Sequence, residues 1–166
     1  VGAEAASEAH RLDLYRPRSP TPTPLMLWIH GGGWSLGGRE TERALALRFA
    51  ERGVAVAAMS YRLSASKWAK DDGTTEGVVH PAHVNDVADA FAWLRANAVS
   101  LNVDPQAIFV GGHSAGGHLS ALVASDARYL GARGLTLDAV AGALPIGGAY
   151  DIPDYHAALR AGNADL

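Results

Sequence analysis

The chain has no cysteine among its 166 residues. Disulfide bonds, a thiolate nucleophile and cysteine-bound metals are therefore excluded. It has no uninterrupted apolar run near the ~20 residues that a membrane-spanning helix needs. It also lacks a strong charge of either sign: the net charge is -3 and the pI about 6.1. The basic footprint of a nucleic-acid binder is missing. No Gly-x4-Gly-Lys-Ser/Thr run is present to cradle phosphates, and no His-Glu-x-x-His run to hold a hydrolytic zinc. The first residues, Val1-Gly2-Ala3-Glu4-Ala5-Ala6, include neither an initiator Met nor the apolar centre of a leader, so they read as a trimmed start. The compartment is left open.

Hydrophobic residues make up 48% and charged residues 19%, the balance of an ordinary globular domain. Residues 1–166 are read as one domain. Arg11-Leu12-Asp13-Leu14-Tyr15 alternates polar and apolar, as a half-exposed strand does. Leu25-Met26-Leu27-Trp28-Ile29 and Val54-Ala55-Val56-Ala57-Ala58-Met59 are short apolar runs that suit strands buried on both faces. Further strands are expected at 108–111 and 137–146. Between them, helices are expected over 40–51, from Pro81 through Leu94, and over 114–125. Pro81 suits the first turn of its helix, and Gly53 suits the end of the one before it. Asp104-Pro105 reads as a turn. Residues 64–79 read as an excursion, a surface loop in preference to a lid. Strands alternating with helices imply an α/β fold, a mostly parallel sheet with helices on both faces.

Two glycine-rich motifs stand where apolar strands end. One is His30-Gly31-Gly32-Gly33-Trp34; the other is Gly112-His113-Ser114-Ala115-Gly116. A serine at a sharp strand-to-helix turn needs small neighbours, and its hydroxyl is lifted above the sheet. The amide of the next residue and the helix N-terminus point at the same place. A glycine run lets backbone approach a ligand closely with its amides free. Either motif alone is compatible with a plain glycine corner. Together, in this order, they supply a nucleophile and an oxyanion hole for acyl transfer.

The sequence resembles the α/β-hydrolase family, and within it the hormone-sensitive-lipase-like esterases and the kynurenine formamidases. The matching pieces are Leu12-Asp13-Leu14-Tyr15, the His30 to Trp34 motif, Ser60-Tyr61-Arg62-Leu63, Val84-Asn85-Asp86-Val87, Trp93-Leu94, Gly112 through Leu119, and Gly148-Ala149-Tyr150-Asp151-Ile152. The resemblance implies Ser114 as nucleophile and the amides of Gly32, Gly33 and Ala115 as the oxyanion hole. It implies that the His30 ring braces the glycine loop and that Trp34 walls the pocket. No cofactor and no metal is implied. The expected activity is hydrolysis of small acyl esters through an acyl-enzyme. An arylformamidase and a non-catalytic hydrolase-like module are the alternatives.

In that family the acid and then the histidine of the triad follow the nucleophile along the chain. Here Asp151 and His156 are the weak candidates, and both fall on one loop. His113 should point away from the site and His118 should be buried with its polar atoms satisfied. His80, His83 and Asp86 have a spacing that suits a metal, but suit the start of a helix equally well. The resemblance thus implies a partial hydrolase domain, truncated after the family's sixth strand and inactive by itself. The strand near 140–146 would then be an apolar sheet edge, covered by a missing C-terminal segment or by a second copy in a homo-oligomer.

Overall fold

The computed structural model describes residues 8–66 and 77–162. Ten residues of the excursion at 64–79 lie outside the described residues. Five strands form one sheet: β1 (Leu12–Tyr15), β2 (Thr23–Ile29), β3 (Ala55–Met59), β4 (Val103–His113) and β5 (Gly142–Ile146). Their spatial order is β1-β3-β2-β4-β5. Only β1 runs antiparallel, against β3; the other pairings are parallel. The helices are α1 (Arg43–Ala50), α2 (Ala82–Ala96), α3 (Ala115–Ser125), α4 (Ala127–Gly131) and α5 (Ile152–Gly162).

Side chains alternate across a strand with period two. Leu25, Leu27 and Ile29 of β2 therefore share one face with Ala55, Ala57 and Met59 of β3. That face packs against Val84, Val87, Phe91 and Leu94 of α2 and Leu119 and Val123 of α3. Met26, Trp28 and Val56 point the other way, onto Ala46 of α1. The sheet is thus covered on both sides, which is why β2 and β3 read as unbroken apolar runs.

Local details correct the sequence reading. The stretch expected to be helical from 40 to 51 opens with a 3-10 turn over Arg39–Glu42, and only Arg43–Ala50 is α-helical. The expected strand at 137–146 is in fact two pieces. Leu137–Ala139 is a 3-10 turn, and pairing with β4 covers only Gly142–Ile146. Leu137 and Ala139 are apolar because the turn packs on the core; an apolar run does not itself distinguish a turn from a strand. The turn expected at Asp104-Pro105 survives inside β4 as an irregularity. Asp104 Oδ1 accepts the Gln106 amide at 2.9 Å, and the register with β2 jumps between Thr23 and Leu25. The serine expected to begin α3 stands just before it.

Among the described residues β5 pairs only with β4 and forms the sheet's edge, with Leu144 and Ile146 exposed. Among the described residues no helix is long and apolar enough to cross a membrane.

Candidate active site

β2 and β4 are parallel neighbours, with Ile29 opposite Gly112. The loops leaving them therefore emerge side by side at the C-terminal edge of the sheet. Ser114 is the single residue between β4 and α3. Its φ of 56° and ψ of -119° are a conformation that costs a non-glycine residue about 1–3 kcal/mol and persists only where the surroundings impose it. The Ser114 amide donates to Ile146 O at 2.8 Å, and Ser114 O accepts the His118 amide at 3.0 Å.

The flanking glycines explain how so sharp a turn fits. A Cβ on Gly112 would lie 2.6 Å from the Gly116 carbonyl and from Ile29 O; one on Gly116 would lie 2.0 Å from Ile29 O. Only hydrogen lets α3 start that close to the end of β2. Ser114 Oγ is half-buried and makes no hydrogen bond to a described residue.

The glycine loop runs directly beside it. A Cβ on Gly31 would stand 3.3 Å from Ser114 Cβ and 3.0 Å from His113 O. Gly32, Gly33 and Trp34 then take φ values of 110°, 57° and 60°. Gly32 O accepts the amides of Ser35 and Leu36, each at 3.0 Å. The Gly32 and Gly33 amides donate to no acceptor among the described residues. Ala115, the first residue of α3, carries an amide that no helical carbonyl can reach. The structure therefore brings together Ser114, Gly32, Gly33 and Ala115.

His30 is buried and stacks on Tyr61, with ring centroids 4.3 Å apart and planes 11° apart. Its Nδ1 lies 2.7 Å from Gly31 O. A carbonyl only accepts, so Nδ1 carries the proton. Burial lowers its pKa against the opposing pull of Gly31 O, Glu42 and Glu40, so the ring is neutral. Its Nε2 is buried without a partner among the described residues. Trp34 meets His118 edge-on, 5.3 Å between centroids. His118 departs from expectation: its Nδ1 is buried and has no partner among the described residues.

Asp151 and His156 lie elsewhere. Asp151 Oδ1 accepts the Asp154 amide at 3.1 Å at the start of α5. His156 is exposed on that helix. The structure does not join either to Ser114 by a hydrogen bond. Among the described residues no three ligating side chains form a group able to hold a metal. Of the spacing noted at 80–86, His83 bonds Ser64 at 2.9 Å. Asp86 takes Arg62, whose Nε lies 3.0 Å from Oδ2.

Two residues beside the site are given no role by the sequence, although Tyr61 lies in the matching piece Ser60-Tyr61-Arg62-Leu63. Tyr61 Oη donates to His30 O at 3.2 Å, and the Ser64 amide donates to Trp34 O at 2.8 Å. Beyond that piece, their sequence signal is their place just after β3, the neighbour of β2.

Comparison with known proteins now bears on this geometry. The family model described as BD-FAE matches residues 12–131. The chain belongs to the BD-FAE family. Carboxylesterase NlhH of Mycobacterium tuberculosis is 38% identical over 109 residues, which is 65% of this chain and 31% of that protein. Esterase LipC of the same species is 34% identical across 95% of this chain and 38% of its own length. Among solved structures, a bacterial heroin esterase superposes with a TM-score of 0.63 at 35% identity, over 75% of this chain and 36% of that one. The fold is that of an α/β-hydrolase, present in part. The chain spans about a third of the length of these relatives.

Proposed function

We propose that the chain carries the nucleophile and oxyanion hole of a serine carboxylic-ester hydrolase that works through an acyl-enzyme. The backbone of Ser114 carries this reading. A serine held at φ 56° beside a glycine run whose Gly32 and Gly33 amides bond no acceptor among the described residues has no packing purpose that glycine would not serve better.

In the proposed reaction Ser114 Oγ attacks the ester carbonyl carbon. The carbonyl oxygen gains charge and is met by the amides of Gly32, Gly33 and Ala115. Each such donor is worth about 3 kcal/mol of barrier. The C–O bond to the alcohol breaks, the acyl group stays on Ser114, and water later releases it. The serine proton passes to a histidine that we assign outside residues 1–166, since all seven histidines of the sequence are described and none has a ring that hydrogen-bonds Ser114. The neutral, buried His30 ring holds Gly31 O and does not exchange protons with substrate. Trp34 forms a wall. We take the substrates to be small acyl esters. The printed name of one relative, Ethyl acetate hydrolase of Pseudomonas putida, 34% identical over 68% of this chain, supports that class.

The test is hydrolysis of p-nitrophenyl acetate by the whole protein that carries this chain, measured beside Ser114→Ala and beside N-formylkynurenine. Ester turnover that vanishes in Ser114→Ala is the expected result. A preference for N-formylkynurenine would make the protein an amide hydrolase of the same fold. A rate no more than about 10³–10⁴ over buffer, unchanged in Ser114→Ala, would mark a hydrolase-like module without a working serine.

A further inference from the structure

The glycine loop takes three successive residues into positive φ, and two of its own backbone hydrogen bonds, from Ser35 and Leu36, end on Gly32 O. Two other carbonyls bracket the glycines, His30 O before them and Trp34 O after them. Both are held from the same short stretch of chain, by Tyr61 Oη at 3.2 Å and by the Ser64 amide at 2.8 Å. His83 of α2 touches both of those residues. Its ring meets Tyr61 edge-on, 6.1 Å between centroids at 81°. Its Nε2 lies 2.9 Å from Ser64 Oγ.

The proton in that last bond can be placed. Ser64 Oγ has one hydrogen and gives it to Val78 O at 2.8 Å. It must therefore accept from His83, which carries its proton on Nε2. His83 is buried, at 4% exposure. A buried polar side chain costs free energy unless its hydrogen bonds are made, and Ser64 supplies one such partner.

We propose that His83, acting through Ser64 and Tyr61, is a positioning residue that fixes the glycine loop against Ser114. It touches no substrate. Tyr61 sits between the His30 and His83 rings, so displacing His83 frees the front clamp, while loss of its bond to Ser64 loosens the rear one. The Gly32 and Gly33 amides between the clamps then wander. This inference rests on the reading of those amides as oxyanion donors.

The test compares His83→Ala, Ser64→Ala and His83→Gln in the full chain, the glutamine keeping an N–H that can reach Ser64. Two readouts are taken: amide hydrogen exchange by NMR, and the rate at which a fluorophosphonate labels Ser114. In His83→Ala, exchange at Ser64 and Leu36 is expected to quicken at least about tenfold while central-strand Val110 stays protected, since opening would be local. Labelling should slow about 10- to 100-fold, the effect of roughly an ångström of misplacement. Ser64→Ala should shift both in the same direction, and His83→Gln should restore them. Unchanged exchange at Ser64 and Leu36, or an equal rise at Val110, overturns the proposal. So does faster exchange with unchanged labelling. If Ser114→Ala labels as fast as the parent chain, the esterase reading falls, and the exchange data still decide whether His83 fixes the loop.

Discussion

Replacing Gly116 by alanine should push α3 off the end of β2. The new Cβ would lie 2.0 Å from Ile29 O, 2.6 Å from Ile29 C and 2.7 Å from His30 O. All three are backbone atoms, so no side chain can swing aside. Reaching an ordinary contact near 3.4 Å needs a shift of about 1.4 Å at the closest atom. Overpacking of this kind costs about 1–3 kcal/mol, and a rigid strand end places it at the upper limit. For a chain of this length, about 3 kcal/mol lowers the melting temperature by roughly 6–12 °C. The shift also carries Ser114 and the Ala115 amide away from Gly32 and Gly33, so labelling by a fluorophosphonate should slow about 100-fold. Gly131→Ala is the control: it lies in α4 and nothing lies within 4 Å of its new Cβ. It should hold or raise stability by up to about 1 kcal/mol. Thermal unfolding by circular dichroism and the labelling rate are both read. If Gly116→Ala melts within about 2 °C of the parent and labels at the same rate, the close helix–strand approach is not what seats the serine.

Ser114→Gly should abolish labelling yet stabilise the fold by about 1 kcal/mol, because glycine adopts φ 56° without strain; a urea midpoint below that of the parent would refute the claim of strain. Asp86→Asn removes the carboxylate charge and turns one of its two acceptor oxygens into an NH2 donor, so either the 2.6 Å bond from Arg62 Nη2 to Oδ1 or the 2.9 Å bond from the Arg62 amide to Oδ2 is lost. Since Asp86 is buried and Arg62 reaches solvent, about 3 kcal/mol should be lost, and a urea midpoint matching the parent's would refute it. Burial holds the pKa values of His30, His83 and His118 below the ordinary 6.5. Between those depressed values and 6.5 the unfolded chain binds more protons, so stability rises with pH there. It is fully present above 6.5 and is lost as pH falls through the folded values. Urea unfolding should give a lower free energy at pH 5.5 than at 7.5, with the gap narrowed in His118→Gln. Equal values at the two pH points would contradict burial of the neutral rings.

Much of the fold could be read from residues alone where one physical signal dominated. β2 and β3 are buried on both faces, so their apolar runs are unbroken, and glycine runs mark where each motif must turn. Ser114, Gly32, Gly33 and Ala115 come together because β2 and β4 are neighbours, an adjacency that the order of motifs along the chain does not give. What escaped depends on partners distant in sequence. Leu137 is apolar because its own 3-10 turn packs on the core, and nothing in its neighbours says so. α5 went unread, and its exposed Ile152, Tyr155 and Leu159 form no buried stripe to announce it. α4 announced itself only by Asp126, whose side chain accepts the Arg128 amide at 3.0 Å. The hydrogen bond from Ser64 to Trp34 follows from β3 lying beside β2. That His118 Nδ1 finds no partner among the described residues follows from packing geometry that residue type does not determine.

The central claim is that Ser114 is a nucleophile facing an oxyanion hole. Its most direct test is mass spectrometry of the full chain after reaction with a fluorophosphonate, peptide by peptide. A single adduct on Ser114, absent in Ser114→Ala and slowed in Gly116→Ala, is the result this account predicts. No adduct, or an adduct on another residue at a rate indifferent to both substitutions, would contradict it.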